Sequence, residues 1–447
     1  MKPDDEFLPS NSNLESLVKR FEAMLANSEN IFFDVEEFLD IISYYTDNYQ
    51  YNKALQVISI AEKQYPFSTE ILLLKANVFF KKDKKNEAEK ILQEIEPLER
   101  QNPELYFLKG NILIGNGKIS EAMAAYQQAL AVSEEDKDTF LFSISGYLMS
   151  NNYFKEALFF FELLIDIGYD DEDIWYDISV CYEKTGDYEK SAQYMSKILN
   201  DNIFDEVTWD YLGDLYLKDN KQDKALEAYF YAFAIDADLY ETVEKIAKIL
   251  YDKQDWQAAL KYYDFLKTKN PSKSTNYLIK IADIFLYLDE TDTAYEYFLE
   301  VLKSEPKNPK AFYGISQIEF KKQNNNKALD MINVAMRYEK ENTDFFYLRG
   351  KIYLSLRQDK KALNDFEKAC NLSDDYDKQC RDYLLLLAEM EFSDTLELLS
   401  SLLHATKDET KTIIVDFLIQ NQIFKNGEIS LDEVKKFLIT NILSKGE

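Results

Sequence analysis

The sequence predicts an all-α protein built as an array of helix hairpins. Apolar residues recur three and four positions apart along most of the chain, which is the helical period, and no strand-like alternation persists. Only 11 glycines and 8 prolines occur in 447 residues, which favours long regular elements. A small residue recurs every 34 or 35 positions. The chain is therefore expected to be a repeat array, although its length alone would suggest about three compact domains.

Two series of small residues define the repeat. The second-helix small positions are Ala54, Ala88, Ala122, Ala157, Ser191, Ala225, Ala259, Ala294, Ala328 and Ala362. The first-helix small positions lie twelve residues earlier and are Ala76, Gly110, Ser145, Ser179, Gly213, Ala247, Ala282, Ser316 and Gly350, with Ile42 in the first repeat. Because two helices approach closely only where side chains are small, each pair predicts the contact inside one hairpin. Turns are expected between them, as in GNGK at 115–118 and TGD at 185–187.

Bulky residues occupy two further fixed positions. Four residues before the first-helix small position stand Leu72, Tyr106, Leu141, Trp175, Trp209, Val243, Leu278, Phe312 and Phe346. Four residues after the second-helix small position stand Ile58, Leu92, Tyr126, Phe161, Met195, Tyr229, Tyr263, Phe298, Ile332 and Phe366. These side chains are expected to fill the core between neighbouring hairpins.

The best-preserved repeat lies between Trp209 and Asp236. It reads W-x2-L-G-x2-Y followed by A-x3-Y, and this pattern on a 34-residue period resembles the tetratricopeptide repeat. The resemblance covers about ten repeats over residues 35–376. It implies a right-handed superhelical solenoid of antiparallel helix hairpins, whose concave surface is lined by the first helix of each hairpin.

Three regions are expected along the chain. Residues 1–34 form an N-terminal extension with a capping helix in NLESLVKRFEAML, residues 35–376 form ten hairpins, and residues 377–447 form a divergent C-terminal helical cap. Caps are needed because a hairpin array would otherwise expose its core at both ends.

The charge and the cysteines indicate an environment and a type of partner. The 81 Asp and Glu residues outnumber the 52 Lys and Arg residues, and a net charge of -29 disfavours nucleic acids and anionic membranes. The acidity either keeps a large helical surface in solution or selects basic partners. Three cysteines in no disulfide spacing, an acidic N-terminus and no apolar run of membrane-spanning length predict a cytoplasmic protein without membrane insertion.

No constellation of residues for catalysis is apparent. The one histidine, His404, has no metal-ligand neighbours in sequence, and no glycine-rich phosphate loop occurs. Residues 424–438 resemble the second half of a calcium-binding loop, but Phe424 occupies a ligand position, and Ser430 with Glu433 is explained as a helix capping box. We therefore expect no enzymatic activity, no cofactor and no metal.

The concave surface implied by the resemblance supplies the candidate binding residues. They are Asn77, Asn111, Tyr176, Asp210, Asp214, Glu244, Tyr251, Asp283, Tyr313 and Tyr347. Asn77 and Asn111 match a position that some family members use to hold a peptide backbone. The middle of the surface is acidic and aromatic, which suits a basic or amphipathic peptide, unless it is simply a solvated face.

Two functions follow from this reading. The first is a non-catalytic adaptor that holds a partner segment in the groove, which predicts one stoichiometric partner. The alternative is a chaperone-like holdase, which predicts broad and weak binding to many basic or amphipathic segments.

Overall fold

The computed structural model describes residues 11–27, 32–133 and 136–372. All regular structure in these ranges is helical, which confirms the all-α prediction. The chain divides into two compact units, Met1–Ile235 and Asp236–Glu447. The expected C-terminal cap lies outside the described residues, together with His404 and the segment 424–438.

The first unit contains one leading helix and six hairpins. The helices are α1 Asn11–Asn27, α2 Val35–Asp47, α3 Tyr51–Gln64, α4 Thr69–Lys81, α5 Lys85–Ile95, α6 Pro103–Gly115, α7 Ile119–Val132, α8 Lys137–Ser150, α9 Phe154–Asp166, α10 Glu172–Thr185, α11 Tyr188–Asp201, α12 Glu206–Lys218 and α13 Gln222–Ile235. α1 buries Val18, Phe21 and Met24 in the same core cluster as Phe38 of the first hairpin.

The second unit contains four hairpins within the described residues. The helices are α14 Tyr240–Asp252, α15 Trp256–Lys269, α16 Ser274–Tyr287, α17 Thr291–Ser304, α18 Pro309–Lys321, α19 Asn325–Tyr338, α20 Thr343–Ser355 and α21 Asp359–Leu372. A short 3-10 turn, Pro271–Lys273, precedes α16. Together with the first unit, the described part of the chain holds ten hairpins, from α2–α3 to α20–α21.

The small positions are the contacts between the helices of each hairpin, as predicted. All ten second-helix small positions have no solvent exposure. In α10–α11 the hydroxyl oxygens of Ser179 and Ser191 lie 2.8 Å apart, and Ser191 Oγ donates to the carbonyl oxygen of Ser179 at 2.9 Å. Ser316 Oγ likewise donates to the carbonyl oxygen of Ala328 at 2.8 Å. Side chains of this size are therefore required for the two backbones to approach.

In three hairpins the first-helix small position is a glycine, and an aromatic ring of the second helix lies directly against its backbone. A Cβ on Gly213 would lie 2.4 Å from the ring of Tyr229, and one on Gly350 would lie 2.7 Å from the ring of Phe366. Gly110 faces Tyr126 in the same way. Hairpin α4–α5 has Ala76 at the first of these positions, and at the second it has Leu92, which is smaller than an aromatic side chain. At these three glycines, the missing side chain therefore leaves the space that the ring fills.

Every hairpin turn contains one residue with a positive φ, five positions before the second-helix small position. These residues are Tyr49, Asp83, Gly117, Asn152, Gly186, Asn220, Gln254, Asp289, Gln323 and Arg357. The amide of the next residue donates to a carbonyl five residues back, at 2.8–2.9 Å in all ten turns. This Schellman motif ends the first helix. The turns at GNGK and TGD are confirmed, and eight other turns adopt the same backbone without glycine.

We expect Gly350→Ala to destabilise the second unit by about 1–3 kcal/mol, because the added methyl group would overlap the ring of Phe366. The double variant Gly350→Ala/Phe366→Leu reproduces the combination found in α4–α5 and should lose less stability than the two single variants summed. Urea unfolding of the four proteins measures this coupling. Strict additivity would contradict the proposed contact.

The backbone conformation of two glycines, one in a turn and one in a helix, predicts opposite effects of alanine substitution on stability. Gly186 has a φ of 85° and open space around its Cα, so Gly186→Ala should cost about 1 kcal/mol through backbone strain alone. Gly146 lies within helix α8, and a Cβ there would also meet open space, so Gly146→Ala should stabilise by up to about 1 kcal/mol. Thermal unfolding of both variants gives the two signs, and equal signs would refute the explanation.

Candidate functional site

The two candidate asparagines of the first unit differ in how they are held. Asn111 is buried in α6, and its Oδ1 accepts a hydrogen bond of 2.8 Å from the hydroxyl of Tyr126. Tyr147 donates to the main-chain oxygen of the same residue at 3.3 Å. Asn77 is half-buried in α4 and makes no side-chain hydrogen bond to any described residue. Asn111 is therefore fixed in orientation, whereas the amide of Asn77 remains available to a ligand.

Asp214 repeats the geometry of Asn111. The hydroxyl of Tyr229 donates to Asp214 Oδ1 at 2.6 Å, and both tyrosines lie fifteen residues after the residue they orient. Burial raises the pKa of Tyr229, and the charges of Asp214 and Asp210 raise it further. Tyr229 therefore remains a neutral donor that directs one carboxylate oxygen. A tyrosine of the second helix thus orients a polar side chain of the first helix in two separate hairpins.

Tyr176 in α10 is half-exposed. Its ring centroid lies 6.1 Å from that of Tyr211, whose hydroxyl donates to Glu183 Oε2 at 2.6 Å. Burial acts to raise the pKa of Glu183, but hydrogen bonds from Lys218 and Tyr211 lower it below its usual value. Glu183 is therefore a charged anchor for this tyrosine pair.

Asp283 in α16 is the least satisfied of the candidate carboxylates. It is partly buried, and its carboxylate accepts no hydrogen bond and forms no ion pair with any described residue. Burial raises the pKa of Asp283 to about 6, although the charges of Lys280 and Lys310 oppose the shift. A carboxylate in such a position lowers stability, and groups of this kind are concentrated at functional sites.

Three tyrosines lie around this carboxylate: Tyr251, Tyr263 and Tyr313. We call these three tyrosines together with Asp283 the tyrosine–aspartate cluster. Burial raises the pKa of each hydroxyl, and the negative charge of Asp283 contributes to each shift. The rings of Tyr251 and Tyr263 are 6.5 Å apart, and Tyr313 stacks on Phe345 at 5.0 Å. The structure thus brings together three of the sequence-predicted residues, Asp283, Tyr251 and Tyr313.

Two aromatic residues beside this cluster were not predicted from the sequence. Trp256 and Tyr287 stack with nearly parallel rings at 4.9 Å, and both contact the ring of Tyr251. The ammonium group of Lys280 lies 4.7 Å from the centre of the Tyr251 ring. Trp256 begins a second helix and Tyr287 ends a first helix, so neither occupies a position assigned to the concave surface. An aromatic residue beside a turn was the only signal in the sequence.

The remaining candidates of the second unit have partners. Glu244 accepts hydrogen bonds from Lys273 at 2.9 and 3.2 Å and another from the hydroxyl of Tyr277. Its charge is therefore matched within the unit. The ammonium group of Lys351 lies 4.6 Å from the centre of the Tyr347 ring, which covers one face of that ring.

A second partly buried carboxylate, Asp177, was also missed by the sequence reading. Burial raises its pKa, and the charge of Asp173 adds to this. Its neighbour Cys181 is buried and unpaired, and burial raises the pKa of that thiol to about 12. A thiol with this pKa stays protonated and unreactive near neutral pH.

The described residues contain neither a metal-binding group of side chains nor a membrane-spanning helix. Among the described residues, no group of three or more His, Cys, Asp or Glu side chains is arranged to hold a metal ion. No helix within the described ranges is both long enough and apolar enough to cross a membrane.

The sequence profile of the tetratricopeptide repeat matches three segments, residues 103–136, 172–200 and 343–376. These segments fall on the hairpins α6–α7, α10–α11 and α20–α21. The chain carries tetratricopeptide repeats. The three matched segments and the ten hairpins share one spacing, and this repeat fold supports a protein–protein interaction scaffold.

Several known proteins are similar to this tetratricopeptide-repeat chain. The general transcriptional corepressor ssn6 of Schizosaccharomyces pombe is 30% identical over 112 residues, which are 25% of this chain and 10% of that protein. A structure of Naa15/Naa10 bound to HypK-THB gives a TM-score of 0.41 at 15% identity, covering 84% of this chain and 68% of that one. Yeast Tom70 gives 0.39 at 14% identity, covering 87% and 96%. Similarities at this level do not specify a partner.

The raised pKa of Asp283 predicts a pH-dependent cost to stability. The pKa of about 6 in the folded state exceeds the ordinary aspartate pKa of 3.8 expected in the unfolded state, so the folded state binds more protons than the unfolded state between these pH values. The contribution of Asp283 to the free energy of unfolding should therefore fall as the pH rises from about 4 to 6 and stay level above. Asp283→Asn should gain up to about 3 kcal/mol at pH 7.5 and almost nothing at pH 4.

Urea unfolding at the two pH values measures this difference. Glu296→Gln is the matched control, because Glu296 is exposed on α17 in the same unit. A gain of equal size at both pH values would show that Asp283 is not the titrating group.

Proposed function

We propose that this protein is a non-catalytic scaffold that holds a basic segment of a partner protein, with the tyrosine–aspartate cluster as its main contact in the second unit. The observation that carries the proposal is the carboxylate of Asp283, which is partly buried among tyrosines without an ion pair to any described residue. A scaffold that needed only stability would not keep such a group.

The chemistry around Asp283 favours a lysine or arginine side chain. A cation that reached Asp283 would supply the missing ion pair, and its methylene groups would pack on the tyrosine rings. Lys280 already places an ammonium group over the ring of Tyr251, so this ring face accommodates a cation. The net charge of -29 would attract a basic segment from a distance.

The first unit offers a second kind of contact, to the main chain of a peptide. Asn111 and Asp214 are each oriented by a tyrosine hydroxyl, and the side-chain amide of Asn77 has no hydrogen-bond partner among the described residues. The amide nitrogens of Asn77 and Asn111 can donate to the carbonyl oxygens of an extended peptide, and the carboxylate of Asp214 can accept from a peptide amide. We therefore infer that the first unit recognises peptide backbone, and the second unit recognises a basic side chain.

The holdase remains the alternative function. Large exposed side chains such as Phe67 and Tyr49 favour it, because they could contact many unfolded segments. The two functions differ in stoichiometry: a scaffold binds one partner in a fixed ratio, and a holdase binds many sequences weakly. For either function we propose a cytoplasmic setting, without direct binding to nucleic acid.

A peptide-binding experiment tests the scaffold. Fluorescent peptides of 15 residues with three lysines are compared with the same sequences carrying glutamine, using anisotropy. Asp283→Asn should weaken binding of the lysine peptides by about tenfold, because the ion pair is lost. The wild-type affinity should increase between pH 5 and pH 7 as Asp283 ionises, and this increase should vanish in the variant.

The control for this experiment is again Glu296→Gln, which should bind like the wild type. Equal affinity for lysine and glutamine peptides would contradict the proposed cation site. Weak binding of nearly every sequence, unaffected by Asp283→Asn, would favour the holdase.

A further inference from the structure

The loop between α11 and α12 carries an exposed apolar surface in the first unit. Ile203, Phe204 and Val207 are 57%, 75% and 65% exposed, and Tyr231 on α13 is 55% exposed. Trp209 joins them into one surface: its ring stacks on Tyr231 at 4.5 Å, and its Nε1 donates to the carbonyl oxygen of Ile203 at 2.9 Å. We name these five residues the α12 patch.

The α12 patch is held in place by hydrogen bonds. Asp205 caps α12 by accepting from the amides of Val207 and Thr208 at 3.1 and 3.2 Å, and from the hydroxyl of Thr208 at 2.6 Å. Asn202 Oδ1 accepts from the amide of Phe204 at 3.2 Å. The apolar side chains are therefore presented by an ordered loop, which reduces the entropy lost when a partner binds.

The other hairpins show that this surface is specific to α12. Two residues after the cap, the other first helices with a side-chain cap carry Glu36, Glu70, Glu104, Asp173, Lys310 and Asp344. α12 has Val207 at this position. Exposed positions of a repeat are normally polar, and a cluster of exposed apolar residues marks an interaction site. The apolar residues of the α12 patch are therefore not required by the repeat itself.

The stretch of sequence that contains the loop and α12 carries charges of one sign. No lysine or arginine occurs between Lys197 and Lys218, whereas the same stretch contains five acidic residues. Asp201 and Glu206 beside the loop, and Glu227 one turn before Tyr231, form no ion pair with any described residue. An acidic rim around an apolar centre is complementary to a segment with apolar residues flanked by lysine or arginine.

We propose that the α12 patch is a second docking surface, which binds a basic amphipathic segment of a partner protein. This surface is distinct from the tyrosine–aspartate cluster and does not depend on it. A second copy of this chain is a poor occupant, because two molecules of net charge -29 repel each other.

The test uses a variant built from residues that the chain itself carries in α6. Phe204→Gln/Val207→Glu places Gln and Glu where the α6 hairpin has Gln101 and Glu104, so the variant should fold normally. The probe is an 18-residue amphipathic helical peptide of leucine and lysine, labelled with fluorescein. We expect this variant to bind the probe at least tenfold more weakly than the wild type at 0.15 M salt.

Two controls isolate the patch. Phe67 is 91% exposed and precedes α4 as Phe204 precedes α12, but α4 carries Glu70 where α12 carries Val207. The variant Phe67→Gln should therefore bind the probe like the wild type. The comparison of the wild type with Phe204→Gln/Val207→Glu is repeated with Asp283→Asn in both proteins, which removes the cation site of the proposed function: the same loss of binding in this background assigns the loss to the α12 patch. An equal loss of binding in Phe67→Gln would overturn the proposal, since it would indicate nonspecific hydrophobic adsorption.

The charge and the oligomeric state give two further outcomes. A leucine–glutamate peptide of the same length should not bind, and equal binding of that peptide would refute the basic character of the partner. Light scattering after size-exclusion chromatography should give the same mass for the wild type and Phe204→Gln/Val207→Glu. Dimers that are lost in the variant would overturn the proposal and assign the patch to self-association.

Discussion

The close approach of two helices at paired small residues is the contact on which the rest of this structure depends. Outside the first hairpin, which has Ile42, each pair brings two backbones together with side chains no larger than those of alanine, serine or glycine. The second-helix members of all ten pairs have no exposure. Where the first-helix residue is glycine, an aromatic ring of the second helix lies against its Cα, as Tyr229 does at Gly213. The paired contact therefore fixes both the spacing of the helices and the position of the large core residues.

The same contact places the polar side chains. Tyr126 and Tyr229 are core residues that fill the space above a glycine, and their hydroxyls reach Asn111 and Asp214 on the facing helix. Core packing and ligand geometry are thus coupled in these hairpins. A substitution at either glycine would move the tyrosine and, with it, the side chain offered to a partner.

The two proposed surfaces differ in the forces that they use. At Asp283, the cost of burial outweighs the nearby charges of Lys280 and Lys310, so a cation gains an ion pair that no described residue makes. At the α12 patch, the gain comes from removing exposed apolar side chains from water, and the acidic rim selects the sign of the partner. A scaffold can combine both binding surfaces because each hairpin contacts mainly its neighbours. A change in the hairpin that carries one surface therefore need not disturb the hairpin that carries the other.

The sequence by itself determined the helical class, the period and the residues that touch inside each hairpin, since these follow from side-chain size and spacing along one chain. It also identified Asp283, Tyr251 and Tyr313 as candidates. It did not determine the eight turns with a positive φ at residues such as Tyr49 and Arg357, because the motif is imposed by packing of the two helices and not by glycine. Only the tertiary structure decided that Glu244 is paired with Lys273, that Asp283 is unpaired among the described residues, and that Trp256 and Tyr287 stack beside it. Pairing, burial and pKa depend on residues from different helices, and their distances exist only once the hairpins are stacked.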